Sequence, residues 1–148
     1  MPEEIIRKVS DASGADSSSA ELADRIKSAA EGLFYPSETD AEILSFIGTK
    51  AETTSKAEIL KQTGAASDSA VEEKDFAGFF ARLTEIQDWY EAEEKETVQK
   101  FVRLRAVLED NIRELKVFRI GKIRLDVYVV GLDAENTFLG IKTKAVET

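Results

Sequence analysis

The stretch KVFRIGKIRLDVYVV, residues 116–130, indicates the fold more clearly than any other part of the chain. Its second half alternates apolar residues with others: Ile123, Leu125, Val127 and Val129 against Arg124, Asp126 and Tyr128. A period of two is typical of a strand with one buried face. With a turn at Gly121 and Lys122, the stretch predicts a hairpin of two strands, residues 116–120 and 123–130.

A third strand is predicted at LGIKTKAVET, residues 139–148, after a looser turn at residues 133–136. Leu139, Ile141, Thr143 and Ala145 fall on one side of it. Most domains finish in a few polar, poorly ordered residues, yet this pattern runs almost to Thr148. A strand paired in a sheet is a rigid arm, so we expect it to fix where Thr148 and its carboxylate point.

The residues before the hairpin predict several helices and one further strand. Residues 1–18 lack a hydrophobic period and predict a mobile leader, with Ser19 as the cap of a helix from Ala20 to about Gly32. A strand is predicted at residues 43–47, ended by Gly48. A helix is predicted at residues 56–62, capped by Thr54 or Ser55 and ended by Gly64, and a polar loop at 65–74 follows it. A short helix is predicted after Asp75 and a long helix at about 90–112.

These elements predict an α+β fold in one domain, residues 19–148. Helices come first and a three-strand meander closes the chain, which favours an antiparallel or mixed central sheet. Helices with apolar faces on both sides of that sheet would make a three-layer α/β/α sandwich.

Composition excludes several classes of function. The chain has 148 residues, 43% of them hydrophobic, enough for one sizeable core. Its net charge of -9 argues against direct binding to nucleic acid, and it contains no cysteine and no histidine. Disulfides, zinc sites of the usual kind and catalytic triads that use histidine are therefore excluded. No sequence motif for phosphate, nucleotide or calcium binding is present.

The sequence shows neither a membrane span nor a secretory signal, so we expect a cytoplasmic protein with no membrane partner. No cofactor of its own is expected.

Three features admit two interpretations from the residues alone. Glu38 and Asp40 could form the acid pair of a hydrolase, although two acids in a turn are more often caps or solvated groups. The acidic run at residues 85–96 could mimic nucleic-acid phosphates, but the solvated start of a helix explains it as well. Trp89 is either a core or staple residue or an anchor in a protein interface.

Three segments resemble the nuclease A inhibitor family: QDWYEAEE at 87–94, LDVYVV at 125–130 and TKAVET at 143–148. The resemblance is close over residues 84–148, returns at 20–38 and is weak at 39–75. It implies a PR-1-like α/β/α sandwich and an inhibitor, not an enzyme, that blocks a sugar-nonspecific, Mg²⁺-dependent endonuclease. We expect such an inhibitor to be a monomer that forms a 1:1 heterodimer with the nuclease.

The resemblance also implies which residues contact the nuclease. In that family the contacts come from an acid in a Ser-Glu turn, the Gln and Trp of a Gln-Asp-Trp segment, and a C-terminal Thr. These correspond here to Glu38, Gln87, Trp89 and Thr148. The family picture implies that Thr148 reaches the catalytic metal of the nuclease, so Mg²⁺ or another divalent ion would enter only with the partner.

Overall fold

The structure, a computed structural model, describes residues 17–147. Within this range there are four helices and seven strands: α1 (Ser17–Ala30), β1 (Phe34–Tyr35), β2 (Ala41–Glu42), β3 (Leu44–Lys50), α2 (Lys56–Thr63), β4 (Val71–Lys74), α3 (Phe76–Ala81), α4 (Ala92–Asn111), β5 (Arg113–Gly121), β6 (Arg124–Leu132) and β7 (Thr137–Val146). Residues 1–16 of the predicted leader and Thr148 lie outside the described residues.

The main sheet has five strands in the order β3-β7-β6-β5-β4, and every neighbouring pair is antiparallel. The predicted meander of β5, β6 and β7 is confirmed, and the sheet is antiparallel rather than mixed. Strand β7 lies between β3 and β6, so backbone hydrogen bonds hold it on both edges. The short strands β1 and β2 form a separate two-stranded ribbon.

Both faces of the main sheet carry apolar clusters. The larger cluster packs Val127, Val129 and Ile141 of the sheet against residues of α1, α3 and α4. The smaller cluster packs Phe118 and Phe138 on the opposite face with Ile59 of α2. Because a period of two sends successive side chains to opposite faces, each central strand contributes to both clusters. The protein thus has a mixed α+β fold, and the PR-1-like three-layer sandwich remains a prediction.

The predicted helix ends are largely correct. The hydroxyl of Ser55 accepts the Glu58 N–H at 3.1 Å, which makes it the N-cap of α2, and Gly64 ends that helix with a left-handed φ of 72°. The Asp75 carboxylate caps α3. At the start of α4 the Glu94 side chain accepts the backbone N–H of Glu91, and the Glu91 side chain accepts the backbone N–H of Glu94. This reciprocal pair is a capping box.

Three local predictions are wrong. Residues 71–74, predicted as part of a loop, form the edge strand β4, which hydrophobic alternation could not reveal because three of its four residues are charged. Strand β3 continues through Gly48 to Lys50. Helix α1 begins at Ser17, so Ser19 lies inside the helix rather than at its cap.

One edge of the main sheet is covered by a side chain. The Thr49 N–H of β3 donates to the amide oxygen of Gln62 at 2.9 Å, and the amide nitrogen of Gln62 lies 3.5 Å from the Thr49 carbonyl oxygen. Gln62 is also held by Glu58 at 2.7 Å. The side-chain amide of Gln62 therefore bonds the N–H and the carbonyl oxygen of Thr49, the two backbone groups that a neighbouring strand would use at this position.

A buried polar cluster joins α1 to the turn between β6 and β7. The Asp133 carboxylate, 4% exposed, accepts hydrogen bonds from the Ser19 hydroxyl at 2.6 Å and from the N–H groups of Glu135 at 2.8 Å and Thr137 at 3.0 Å. The Ser19 hydroxyl also lies 3.0 Å from the Thr137 hydroxyl. The cluster therefore both shapes the turn and fixes the first helix against it.

We predict that Asp133→Ala lowers the free energy of unfolding by about 3 kcal/mol, because it leaves a buried hydroxyl and two backbone N–H groups without their acceptor. Equilibrium unfolding in urea measures the change. Asp126→Ala is the control, since Asp126 is an exposed sheet residue whose ion pair with Lys144 contributes less than about 1 kcal/mol. Equal losses in the two variants would contradict the role of the cluster.

Candidate functional site

The turn at residues 36–40 carries Glu38 and joins β1 to β2. The ribbon is only two residue pairs long, Phe34 with Glu42 and Tyr35 with Ala41. A two-stranded ribbon of this length is not stable by itself in water. Its turn must therefore be fixed by contacts with other parts of the chain.

The end of β7 supplies these contacts. The Val146 N–H donates to the Ser37 hydroxyl at 3.1 Å, and the Glu38 N–H donates to the Val146 carbonyl at 3.3 Å. Glu38 itself is exposed. The structure thus places Glu38 beside Val146, which precedes Thr148 by two residues in the sequence.

A second set of contacts holds Glu147. Its N–H donates to the Ile123 carbonyl at 2.9 Å, and its carboxylate forms an ion pair and hydrogen bond with Arg119 of β5. The Nε atom of Arg119 lies 3.3 Å from a carboxylate oxygen of Glu72, within ion-pair range but without hydrogen-bond geometry. Glu147 is therefore the partner that forms a hydrogen bond with Arg119, and Glu72 is the partner that forms only an ion pair.

The surroundings of Arg119 favour its charged form. The pKa of Arg119 is raised above its usual value, mainly by the hydrogen bond to Glu147, while desolvation acts in the opposite direction. The charges of Glu147 and Glu72 and the nearby Tyr35 add to the rise. Arg119 is thus a structural cation held between two acids.

A cleft of about 670 Å³ opens next to this turn. Pro36, Gln87 and Trp89 line it, and the rings of Tyr35 and Phe79, which also line it, stack with centroids 5.2 Å apart. The Gln87 amide donates to the Glu85 carboxylate. The structure therefore brings Gln87 and Trp89 into one cleft, and Pro36 connects that cleft to the turn of Glu38.

Two aromatic side chains at this cleft are exposed. Trp89 is 70% exposed and contacts Tyr90 edge-on, with ring centroids 4.6 Å apart. The interpretation of Trp89 as a core residue is wrong. Phe34 lines the same cleft and is 52% exposed. Sequence reasoning missed Phe34, because only the pairing of β1 with β2 places it at the rim.

Charged residues near the cleft and on the hairpin have local partners. Glu91 and Glu94, in the acidic run, form the capping box of α4. On the hairpin, Lys116 lies 3.8 Å from Glu73, and Arg119 is paired as described above. These two basic side chains of the hairpin are therefore paired with acids of the same sheet or of its end.

The exposed aromatic side chains of the cleft suit contact with another protein. Glu38 and Asp40 are both exposed, and neither lines the cleft that holds Gln87 and Trp89. Among residues 17–147, no group of three or more acidic side chains is arranged to hold a metal ion, and no helix is long and apolar enough to cross a membrane. Exposed aromatic rings beside a fixed backbone are typical of a protein interface.

A family model described as Nuclease A inhibitor-like protein (NuiA) matches residues 20–148. The match includes the main sheet, the cleft and the turn that carries Glu38. A search of curated proteins finds no significant match.

We predict that Ser37→Ala loosens the turn at the end of β7. The variant loses the hydroxyl that accepts the Val146 N–H, so the Val146 amide should exchange with solvent roughly fivefold faster, as expected for a hydrogen bond that contributes about 1 kcal/mol. Hydrogen exchange followed by NMR measures the rate. Thr39→Ala, in the same turn, is the control. An unchanged rate at Val146 in Ser37→Ala would show that the turn is held by other contacts.

Proposed function

Because this chain belongs to the nuclease A inhibitor-like family, we propose that it is a protein inhibitor of a sugar-nonspecific, Mg²⁺-dependent endonuclease and not an enzyme. The observation that carries the proposal is the family match over residues 20–148. The inhibitor would be a cytoplasmic monomer that occupies the active site of the nuclease in a 1:1 complex. We further propose a single PR-1-like α/β/α domain at residues 19–148.

Glu38 is proposed to bind a basic group of the nuclease that otherwise holds a substrate phosphate. A carboxylate accepts strong charge-assisted hydrogen bonds from arginine or lysine, and these gain strength as water leaves the interface. The two hydrogen bonds between the turn and Val146 support this role, because they fix the backbone of Glu38 before the partner arrives. Less conformational entropy is then lost on binding.

Thr148 is proposed to reach the catalytic metal of the nuclease. Mg²⁺ takes oxygen ligands and usually keeps several waters, so a carboxylate or a hydroxyl at Thr148 could replace one of them. The hydrogen bond from Glu147 to Ile123 supports this role, because it fixes the backbone immediately before Thr148. The metal would belong to the nuclease, and the inhibitor would need no cofactor.

Gln87 and Trp89 are proposed to supply the apolar and hydrogen-bonding part of the interface. Burial of an indole that is 70% exposed in the free protein removes a large apolar area from water. Gln87 has its amide oriented by Glu85 and would present a directed hydrogen bond next to the ring. Trp residues in such positions often dominate binding energy.

A second candidate function rests on charge alone. With a net charge of -9, the chain could bind basic proteins as a mimic of nucleic acid without contact with a metal. Such binding would weaken steeply with salt and would not depend on Thr148. The hydrolase interpretation lacks comparable support, because Glu38 and Asp40 lie outside the cleft.

The proposed function predicts that an equimolar amount of this protein suppresses hydrolysis of DNA by a purified sugar-nonspecific nuclease in the presence of Mg²⁺. Addition of three glycines after Thr148 moves any carboxylate away from the metal and should weaken inhibition markedly, with the unfolding temperature unchanged. Undiminished hydrolysis across an excess of the protein would contradict the function for that nuclease. Inhibition that ignores the added glycines but falls with salt would favour the mimic.

We predict that Trp89→Ala weakens inhibition by about 30-fold, the effect of losing a hot-spot residue of about 2 kcal/mol. Its free energy of unfolding should change by less than about 1 kcal/mol, because the side chain is exposed. Inhibition titrations and urea unfolding measure the two effects. Val102→Ala, an exposed apolar residue on α4, is the control and should leave inhibition unchanged. A loss of stability that matches the loss of inhibition would make Trp89 a structural residue.

A further inference from the structure

Arg119 is a largely buried arginine that is paired with two acids. Its side chain is 15% exposed, on the face of the sheet that carries the larger apolar cluster, and Glu72 lies opposite it in the register of β4 with β5. The carboxylate of Glu147, in contrast, is 48% exposed.

The contact between Arg119 and Glu147 is long-range within the sheet. Glu147 directly follows β7, Arg119 lies on β5, and β6 runs between them, so the contact spans two strand spacings, about 10 Å. The side chain of Glu147 thus extends over β6 toward β5 instead of continuing along the axis of β7. The ion pair sets the side of the sheet toward which this residue points.

The backbone hydrogen bonds at the end of β7 leave the direction of the Glu147 side chain less constrained. The Val146 N–H and carbonyl bond Ser37 and Glu38 on one side, and the Glu147 N–H bonds Ile123 on the other. Among residues 17–147, the side chain of Glu147 bonds Arg119 alone. Arginine suits this task because its planar guanidinium orients a carboxylate better than lysine does.

We propose that Arg119 is a positioning residue for nuclease inhibition, which acts through Glu147 to fix the direction in which the chain leaves β7 toward Thr148. This inference rests on the proposed function, since it assigns to Arg119 the orientation of a proposed contact with the nuclease. Arg119 itself touches no partner group. Its effect on inhibition should therefore exceed its effect on stability and should require Thr148.

The test uses Arg119→Met, which keeps the buried alkyl part of the side chain, and Glu147→Gln, which changes an exposed residue and is expected to fold normally. With the nuclease of the inhibition assay and Mg²⁺, each variant should raise the dissociation constant roughly tenfold, within the range of coupled residues. Lys116→Met is the control, because it removes another ion pair between β4 and β5. Its dissociation constant should stay within about twofold of the unmodified chain.

Removal of Thr148 separates positioning from a general effect on the interface. In a chain that lacks Thr148, Glu147→Gln should change the dissociation constant less than about twofold, because there is no longer a contact to orient. A tenfold loss that persists without Thr148 would overturn the inference. So would unchanged binding by Glu147→Gln and Arg119→Met in the presence of Thr148.

A measurement on the free protein separates this inference from the proposed function. The {¹H}–¹⁵N NOE of the Glu147 amide should fall in Arg119→Met and stay unchanged in Lys116→Met, because of these two residues only Arg119 bonds the side chain of Glu147. If the chain inhibits no nuclease, the proposed function fails, while a lower NOE still supports the positioning of Glu147 by Arg119. An unchanged NOE in Arg119→Met overturns the inference whatever the inhibition assay gives.

Discussion

The position of β7 between two neighbouring strands is the constraint on which the rest of the structure depends. Strand β7 pairs with β6 along nearly its whole length and with β3 as far as Lys142. Gly140 permits this close approach, because a Cβ atom there would collide with the carbonyl oxygen of Val129. The pairing of β7 holds the backbone of Val146 in place. Val146 then forms hydrogen bonds with the loop that carries Glu38.

The groups that hold the fold together and the exposed aromatic groups lie in different parts of the molecule. The buried residues of the two clusters and the Asp133 network hold the fold together, whereas the most exposed aromatic groups, Trp89 and Phe34, lie at the cleft and contribute little to the core. Exposure of large aromatic rings is unfavourable in water unless a partner covers them. The proposed function as an inhibitor requires this separation, since the proposed contact residues must stay available while the fold remains stable on its own.

The sequence was sufficient to predict elements whose signal is local. Alternation marked β6 and β7, and the cap residues Ser55, Gly64 and Asp75 were identified from residue type and spacing. The failures share a cause. Strand β4 forms by pairing with β5, and the buried Ser19 hydroxyl donates a hydrogen bond to Asp133, 114 residues away. Likewise, the approach of Glu38 to Val146 and the exposure of Trp89 depend on contacts between distant segments, which periodicity does not encode.

The amide of Gln62 has a consequence for how the protein can associate. By bonding both backbone groups of Thr49, it occupies the place where a strand from another molecule would begin to pair with β3. At the opposite edge, Glu72, Glu73 and Lys74 bring charge to β4. Exposed sheet edges are the usual starting points of aggregation and strand exchange, and both edges here carry features that oppose it. The molecule can therefore present the end of its sheet to a different protein while its edges discourage the addition of copies of itself.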